Sequence, residues 1–127
     1  MVEKEVSVSV KILKDLLDSN FFKMFSEPVR TKILVFLLEN GKSDVGTIAS
    51  FLPQDRSVVS RHLSKMHKSG VLIASRQDRH HYYSVNSDFM INTLRNLVFN
   101  TSICAGTDCN CCNLCPNYET CLKRSKP

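Results

Sequence analysis

The middle of this chain holds two short helical segments joined by a tight connection, a pattern that leaves few folds open. In residues 43–52 the apolar side chains recur at helical spacing, and residues 53–55 then interrupt the pattern with a proline. Residues 56–69 resume the helical period, with apolar side chains on one side and cationic or hydroxyl side chains on the other. Two short helices in this order, the second basic on its free face, predict a helix-turn-helix.

Upstream of this pair the sequence predicts two further helices. An amphipathic helix is expected over residues 8–17, followed by an apolar connection at residues 21–25. A second helix is expected over residues 28–40, with Ser26 as its N-cap and a proline in its first turn. Because apolar residues surround most of its circumference, this helix is expected to form the buried centre of the domain.

Downstream of the pair the pattern changes from helical to strand-like. Residues 71–75 and 81–85 predict two strands, and the polar segment of residues 76–79 between them predicts a turn, so together they form a β-hairpin with a basic tip. Ser87 and Asp88 then begin a last helix, whose apolar pattern stops at about Asn100. The predicted fold class is mainly α with a small β-hairpin, in the order α-α-α-α-β-β-α, which is a winged helix-turn-helix.

Length and composition indicate one domain and exclude several classes of protein. A chain of 127 residues, 43% of them hydrophobic, fits a single compact domain. No apolar run reaches the roughly 20 residues that cross a bilayer, and residues 1–19 lack a signal-peptide cleavage site. We therefore expect a cytoplasmic protein with no membrane partner. The absence of a glycine-rich phosphate loop and of a Ser-His-Asp or Cys-His arrangement argues against an enzyme.

The positive charge is concentrated in the helix-turn-helix and the hairpin. Residues 55–95 carry seven Lys or Arg against three Asp or Glu, whereas the charges of residues 1–54 balance. This segment accounts for most of the formal net charge of +5. Because each neutralised phosphate releases counterions, a local basic surface favours a polyanionic partner, here nucleic acid.

Three stretches of the chain resemble the ArsR/SmtB family of metalloregulatory repressors. They are FSEPVRTKIL at residues 25–34, SVVSRHL at residues 57–63 and RHHYYSV at residues 79–85, and the resemblance extends over about residues 10–100. It implies a winged helix-turn-helix repressor that binds double-stranded operator DNA. It also implies a homodimer, in which the first and last helices pack across a two-fold axis and two recognition helices enter successive major grooves of an imperfect palindrome.

The sequence supports a homodimer independently of this resemblance. The first and last predicted helices each carry an apolar stripe, although they lie at opposite ends of a small chain. In a monomer the two stripes would leave an apolar patch uncovered. Most soluble monomeric proteins do not expose a large apolar patch. The alternative is that the two stripes cover each other within one subunit.

The predicted DNA contacts lie on the recognition helix and in the wing. Arg61 is suited to bidentate reading of guanine, whereas Lys65 is suited to a phosphate as a point charge. His62 either joins them or packs under the hairpin. Arg76 and Arg79 flank the hairpin turn and would reach the adjacent minor groove or its phosphates. The full predicted set is Arg56, Ser57, Val58, Ser60, Arg61, His62, Lys65, Arg76 and Arg79.

All six cysteines fall between residues 104 and 121. Residues 1–100 are therefore expected to form the DNA-binding and dimerisation domain, and residues 101–127 a Cys-rich tail. In a cytosolic protein, clustered thiols indicate metal ligands or redox groups before disulfides. Thiolates select soft or borderline ions such as As(III), Zn(II), Cd(II) and Pb(II), and an iron-sulfur cluster is a further alternative. The candidate ligands are Cys104, Cys109, Cys111, Cys112, Cys115 and Cys121.

Two metal sites known in the resembled family are missing from this sequence. Where relatives carry a Cys-x-Cys pair at the start of the third helix, this chain has Asp44 and Gly46. Residues 89–103 contain neither histidine nor an acidic residue, so the site on the last helices is also missing. The tail therefore remains as the predicted sensor, in which a bound soft metal or metalloid ion releases the repressor from its operator. Reversible thiol oxidation, an iron-sulfur cluster and a structural zinc knot stay open as alternatives.

Overall fold

A computed structural model of the chain describes residues 2–106, and these residues form helices with three short strands. The helices are α1 (Val2–Leu17), α2 (Asn20–Met24), α3 (Pro28–Asn40), α4 (Val45–Ser50), α5 (Arg56–Lys68) and α6 (Ser87–Ala105), and the strands are β1 (Ser43–Asp44), β2 (Leu72–Gln77) and β3 (His80–Val85). The chain divides into two compact units, one spanning Asn20–Phe89 and the other containing α1 and the part of α6 from Met90 onward.

The unit of residues 20–89 is a winged helix-turn-helix, as predicted. Its sheet has the order β1-β3-β2 with both pairings antiparallel. Helix α5 lies against α3, α4 and β2, and its buried side consists of Val59, Leu63 and Met66, all fully inaccessible to solvent. Burying an aliphatic side chain of this kind stabilises a fold by about 1.5–3 kcal/mol. The apolar face of α5 therefore fixes which of its residues point outward.

The connection from α5 to the wing requires a glycine. The Gly70 N–H donates to the His67 carbonyl at 3.0 Å, and the backbone of Gly70 has a φ of +94°. A Cβ atom at this position would lie 2.9 Å from the Phe89 ring, closer than packed atoms approach. Only glycine combines this left-handed conformation with the close approach of the ring. The end of the recognition helix is thus tied directly to the start of β2.

The wing is tighter than the sequence predicted. Strands β2 and β3 pair as far as Gln77 and His80, so that only Asp78 and Arg79 form the turn. Asp78 has a φ of 56°, a conformation that Asp adopts more readily than most residues. The predicted four-residue turn was therefore too long, and Arg76 belongs to strand β2 rather than to the turn.

Helix α3 begins and ends as predicted, but two expectations about it were wrong. Its N-cap is Glu27, because the Ser26 hydroxyl donates instead to the Lys23 carbonyl at 2.7 Å. Its apolar residues are also not buried on all sides, since Val35 is 45% and Leu38 is 61% exposed. The helix contributes one buried side to the core and presents another apolar side at the surface.

The second unit contains α1 and most of α6, both longer than the sequence predicted. Helix α1 starts at Val2 rather than at residue 8, and α6 continues to Ala105 instead of stopping near Asn100. The predicted boundary between domain and tail at residue 100 therefore lies inside a helix. Large apolar side chains of this unit remain exposed, among them Val8, Leu17, Leu94 and Val98. In the described part of the chain, no helix combines the length and apolar character needed to cross a membrane.

Candidate nucleic-acid interface

Helix α5 presents a polar and cationic side to solvent. Its exposed polar and cationic residues form what we call the recognition face, which consists of Arg56, Ser57, Ser60, Arg61 and Lys65. The helical period places Ser57, Arg61 and Lys65 on the side opposite the buried residues. Arg56 lies on the side of Val59 and is exposed at the first residue of the helix. A helix with hydroxyl and cationic side chains on its free side can donate hydrogen bonds both to phosphates and to base edges in a major groove.

The wing folds beside the first turns of α5 and leaves a cleft of about 500 Å³, which we call the wing recess. Arg79 from the hairpin turn lies in this recess together with three residues of the recognition face. The lining residues are Asp44, Val45, Arg56, Ser57, Ser60, Arg79, His80 and His81. The structure therefore brings together predicted residues from two segments separated by the whole of β2. His80 and His81, which sequence reasoning did not include, line the same recess.

Asp44 places one carboxylate in this otherwise basic recess. The Thr47 hydroxyl donates a hydrogen bond to Asp44 Oδ1, and this bond, with a smaller contribution from the charge of His80, holds the pKa of Asp44 below its usual range. A Cβ atom on Gly46 would lie 3.3 Å from Asp44 Oδ2 and 3.8 Å from Arg56 Nη1. Only the approach to Asp44 is closer than ordinary contact, so the absence of a side chain on Gly46 leaves room for the Asp44 carboxylate. An ionised Asp44 repels phosphate, so an anion in the recess is expected to lie toward Arg79.

The other predicted wing residue, Arg76, does not line the recess but lies opposite His81, which does. Arg76 and His81 are paired across β2 and β3, and both are exposed. Residues directly opposite each other in antiparallel strands share a face of the sheet. Arg76 and His81 therefore form a second cationic or hydrogen-bonding position on the wing, separate from Arg79 at its tip.

Two predicted contact residues on α5 are less accessible than the recognition face. Val58 and His62 are half-buried. Arg30 Nε on α3 donates to His62 Nδ1 at 3.2 Å, so His62 is bonded to α3 rather than packed under the hairpin. Burial lowers the pKa of His62, and the neighbouring Arg30 charge lowers it further. The neutral imidazole is thus held as an acceptor for Arg30.

Comparison with known proteins assigns the chain to one family. Residues 27–74 match the bacterial regulatory protein, arsR family. The transcriptional repressor SdpR of Bacillus subtilis is 32% identical over 83 residues, which cover 63% of this chain and 91% of that protein. An uncharacterised helix-turn-helix transcriptional regulator of Methanocaldococcus jannaschii is 31% identical over 70 residues, covering 55% of this chain and 79% of that protein. The chain belongs to the ArsR family of transcriptional regulators.

A solved structure supports the same assignment. The crystal structure of a possible transcriptional regulator for arsenical resistance superimposes with a TM-score of 0.52 at 25% identity, covering 62% of this chain and 79% of that one. The family resemblance stated from the sequence is therefore confirmed. Since ArsR regulators are DNA-binding proteins and not enzymes, the prediction that the chain is not an enzyme is confirmed as well.

The described residues contain only one of the predicted metal ligands of this ArsR regulator. Cys104 is half-buried near the end of α6, where its Sγ lies 4.0 Å from the Val6 carbonyl oxygen of α1. Within residues 4–106, no three side chains of His, Cys, Asp or Glu are grouped so that they could hold a metal ion. The other predicted ligands lie outside the described residues, namely Cys109, Cys111, Cys112, Cys115 and Cys121.

Sequence reasoning missed the residues that surround the recognition helix from distant segments. The sequence placed His80 in a polar hairpin. It did not predict the two-residue turn that brings His80 into the wing recess. Arg30 carried no local signal, because it becomes part of the interface only through its bond to His62. Both residues are positioned by tertiary packing rather than by periodicity.

Proposed function

We propose that this ArsR regulator is a transcriptional repressor that binds operator DNA through α5 and the wing. The observation that carries the proposal is the wing recess, in which Arg79 of the hairpin turn meets Arg56, Ser57 and Ser60 of α5. Cationic and hydroxyl groups from two elements converge there on one side of a helix whose other side is buried. In this arrangement α5 enters a major groove while the wing contacts the neighbouring phosphates or minor groove. A repressor of this kind acts in the cytoplasm.

We further propose that the repressor binds DNA as a homodimer. In the unit that contains α1 and most of α6, apolar side chains on both helices are exposed by more than a third, including Val8, Ile12, Leu94 and Val98. A second copy would cover these side chains and bring two α5 helices to the two halves of an imperfect palindrome. Covering apolar surface is favourable by roughly 25 cal/mol for each Å² removed from water.

The inducer in this proposal is a soft metal or metalloid ion held by the cysteines that begin at Cys104. Thiolates bind As(III), Zn(II), Cd(II) or Pb(II) in preference to hard cations. Cys104 belongs to α6, and the other five cysteines follow within the next residues of the chain. An ion that joins Cys104 to these thiolates would tie the tail to a helix of the proposed dimer. Release from DNA requires only that the ion binds the DNA-free protein more tightly than the DNA-bound protein. The coupling free energy between two such binding events is typically about 1–3 kcal/mol.

The test is a titration of the reduced protein on DNA from its own promoter, followed anaerobically by fluorescence anisotropy. Near-stoichiometric arsenite, zinc or cadmium should release the wild type. The variant Cys109→Ser/Cys111→Ser/Cys112→Ser should bind DNA with unchanged affinity but fail to respond to the ion. Unchanged induction in this variant would remove the tail as sensor.

The redox alternative is tested on the same complex of the protein with promoter DNA. Mild oxidation that lowers the protein mass by two hydrogen atoms and abolishes DNA binding, in a protein that no ion releases, would assign the cysteines to a reversible disulfide instead. A visible absorption spectrum typical of a cluster in the anaerobically purified protein would assign them to an iron-sulfur site.

A further inference from the structure

A second basic cavity lies at the opposite end of α5 from the wing recess. It has a volume of about 240 Å³ and is formed by α2, α3 and the C-terminal end of α5. We call it the lysine recess, and its lining residues are Asn20, Lys23, Met24, Arg30, Lys65, Lys68 and Ser69. Four of these side chains are cationic, they come from three different helices, and no acidic side chain is among the lining residues.

Arg30 is held at a fixed position in this recess. Its Nη1 donates to the Met24 carbonyl at 3.4 Å, and its Nε donates to His62 Nδ1 at 3.2 Å. A guanidinium group has five N–H donors in a rigid fork, so these two bonds leave further donors. Arg30 therefore offers a preorganised cationic group, which loses less side-chain entropy on binding an anion than a free lysine would.

Stabilisation of helix ends explains only some of these cations. Lys23, Lys65 and Lys68 lie in the last turns of α2 and α5, where a positive charge complements the helix dipole. Arg30 lies in the first turn of α3, which starts at Pro28, and there the dipole disfavours a positive charge. Placing it beside the lysines brings like charges together, which is unfavourable unless negative charge neutralises them. Glu27 supplies one negative charge near His62, the partner of Arg30, against four cations. The composition of the recess thus points to an anionic ligand.

The recess continues the recognition face along α5. Ser57, Arg61, Lys65 and Lys68 follow each other at intervals of four, four and three residues and are all exposed, so they form one stripe of the helix. From Arg56 to Lys68 the helix is about 18 Å long at 1.5 Å per residue. This length exceeds the roughly 12 Å width of a DNA major groove, so both ends of a helix crossing the groove come close to its bordering backbones.

We propose that the lysine recess binds a phosphate group of the DNA backbone that borders the major groove entered by α5. The inference rests on the proposed DNA-binding function and adds a second anchor to it, at the end of α5 remote from the wing recess. A phosphate held there contributes affinity on any DNA sequence and fixes the register of the helix, but it reads no base. Lys23 and Lys68 supply its point charges and Arg30 its fixed hydrogen-bond donors.

The test compares two double variants that lose the same charge. Lys23→Gln/Lys68→Gln removes two cations of the lysine recess, whereas Lys14→Gln/Lys32→Gln removes two exposed cations that do not line it. Both variants and the wild type are titrated, as full-length protein, onto a fluorescein-labelled promoter duplex and an unrelated duplex over a range of salt concentrations. Circular dichroism confirms that each variant is folded.

The recess variant should lose affinity for both duplexes by the same factor, about tenfold, and its salt dependence of log K should become shallower by about 0.9 for each phosphate lost. The control variant should keep the wild-type salt dependence. Equal behaviour of the two variants would overturn the proposal. So would a loss confined to the promoter duplex, because that result would mean that these lysines read bases.

A second arm distinguishes backbone phosphate from free phosphate. Inorganic phosphate is titrated into the DNA-free protein at constant ionic strength, and the backbone amides of Lys68 and Ser69 are followed by NMR. No saturation is expected; saturation at low millimolar phosphate would assign the recess to a free anion and overturn the DNA assignment.

The failure of this proposal can be distinguished from the failure of the operator proposal. If the wild type binds both duplexes equally, the operator proposal fails, while the salt dependence of the two variants still shows whether the lysine recess binds a phosphate. If it binds neither duplex, both proposals fail.

Discussion

Arg61 is the residue for which the structure allows the clearest test of base reading. It is exposed at the centre of the recognition face and lines neither the wing recess nor the lysine recess. Replacing Arg61 by Ala should cost about 1–3 kcal/mol of binding free energy on the specific operator and much less on unrelated DNA, because a bidentate contact to guanine is lost. Equal losses on both, measured by fluorescence anisotropy, would instead identify a phosphate contact. No loss on either would contradict the assignment of α5 as the recognition helix.

His62 makes the stability of the protein depend on pH. Burial and the neighbouring Arg30 lower the pKa of His62 in the folded state from the usual value of 6.5. Between the folded pKa and 6.5 the unfolded chain therefore binds more protons at this site than the folded one. The contribution of His62 to the free energy of unfolding is full above pH 6.5 and falls as the pH decreases through that value toward the folded pKa.

Urea unfolding at a series of pH values between 5 and 8 checks this expectation. His62→Gln should flatten the pH dependence in this window, since glutamine can still accept a hydrogen bond from Arg30 but does not titrate. His67→Gln is the matched control, because His67 lies on the same helix and is exposed. Identical pH profiles for the wild type and His62→Gln would show that the titration of His62 does not set the pH dependence of stability.

At the level of elements, periodicity predicted what the elements are but not always where they end. The buried side of α5 followed from a local pattern, because Val59, Leu63 and Met66 recur at helical spacing. Strand β1 could not be predicted, because two residues become a strand only by pairing with Tyr82 and Tyr83 of β3. The helix α2 has only five residues, which is too short for a helical period to be recognised in the sequence. Such elements are produced by tertiary contacts.

In the candidate interface, too, one part could be predicted from the sequence of a single helix and another part could not. The recognition face could be read from one helix, since its exposed positions are the complement of the buried ones. The lysine recess could not, because Lys23 and Arg30 approach Lys68 only after α2 and α3 have packed near the end of α5. A sequence pattern reports which residues share a helix face, whereas a cavity between three helices depends on their packing.

For the whole molecule, the decisive question is whether two copies associate through the exposed apolar residues of α1 and α6. Leu94 and Val98 lie one turn apart on α6 and are 43% and 45% exposed, so replacing both by Glu should cost the monomer little stability. In a dimer the same change would bury four carboxylates at the interface, which is strongly unfavourable. We expect Leu94→Glu/Val98→Glu to be monomeric in sedimentation equilibrium at concentrations where the wild type is dimeric.

The control for this prediction is Val35→Glu/Leu38→Glu, which adds the same charges to comparably exposed apolar positions on α3. It should remain dimeric and keep its affinity for promoter DNA, whereas the α6 variant should lose both dimer and tight operator binding. The two losses are coupled, since one subunit alone contacts half of a palindrome and half of its phosphates. Dissociation of both variants would mean that added negative charge, rather than a specific interface, separates the copies. A dimeric α6 variant would mean that the copies associate through another surface, because four like charges would not be tolerated between packed helices.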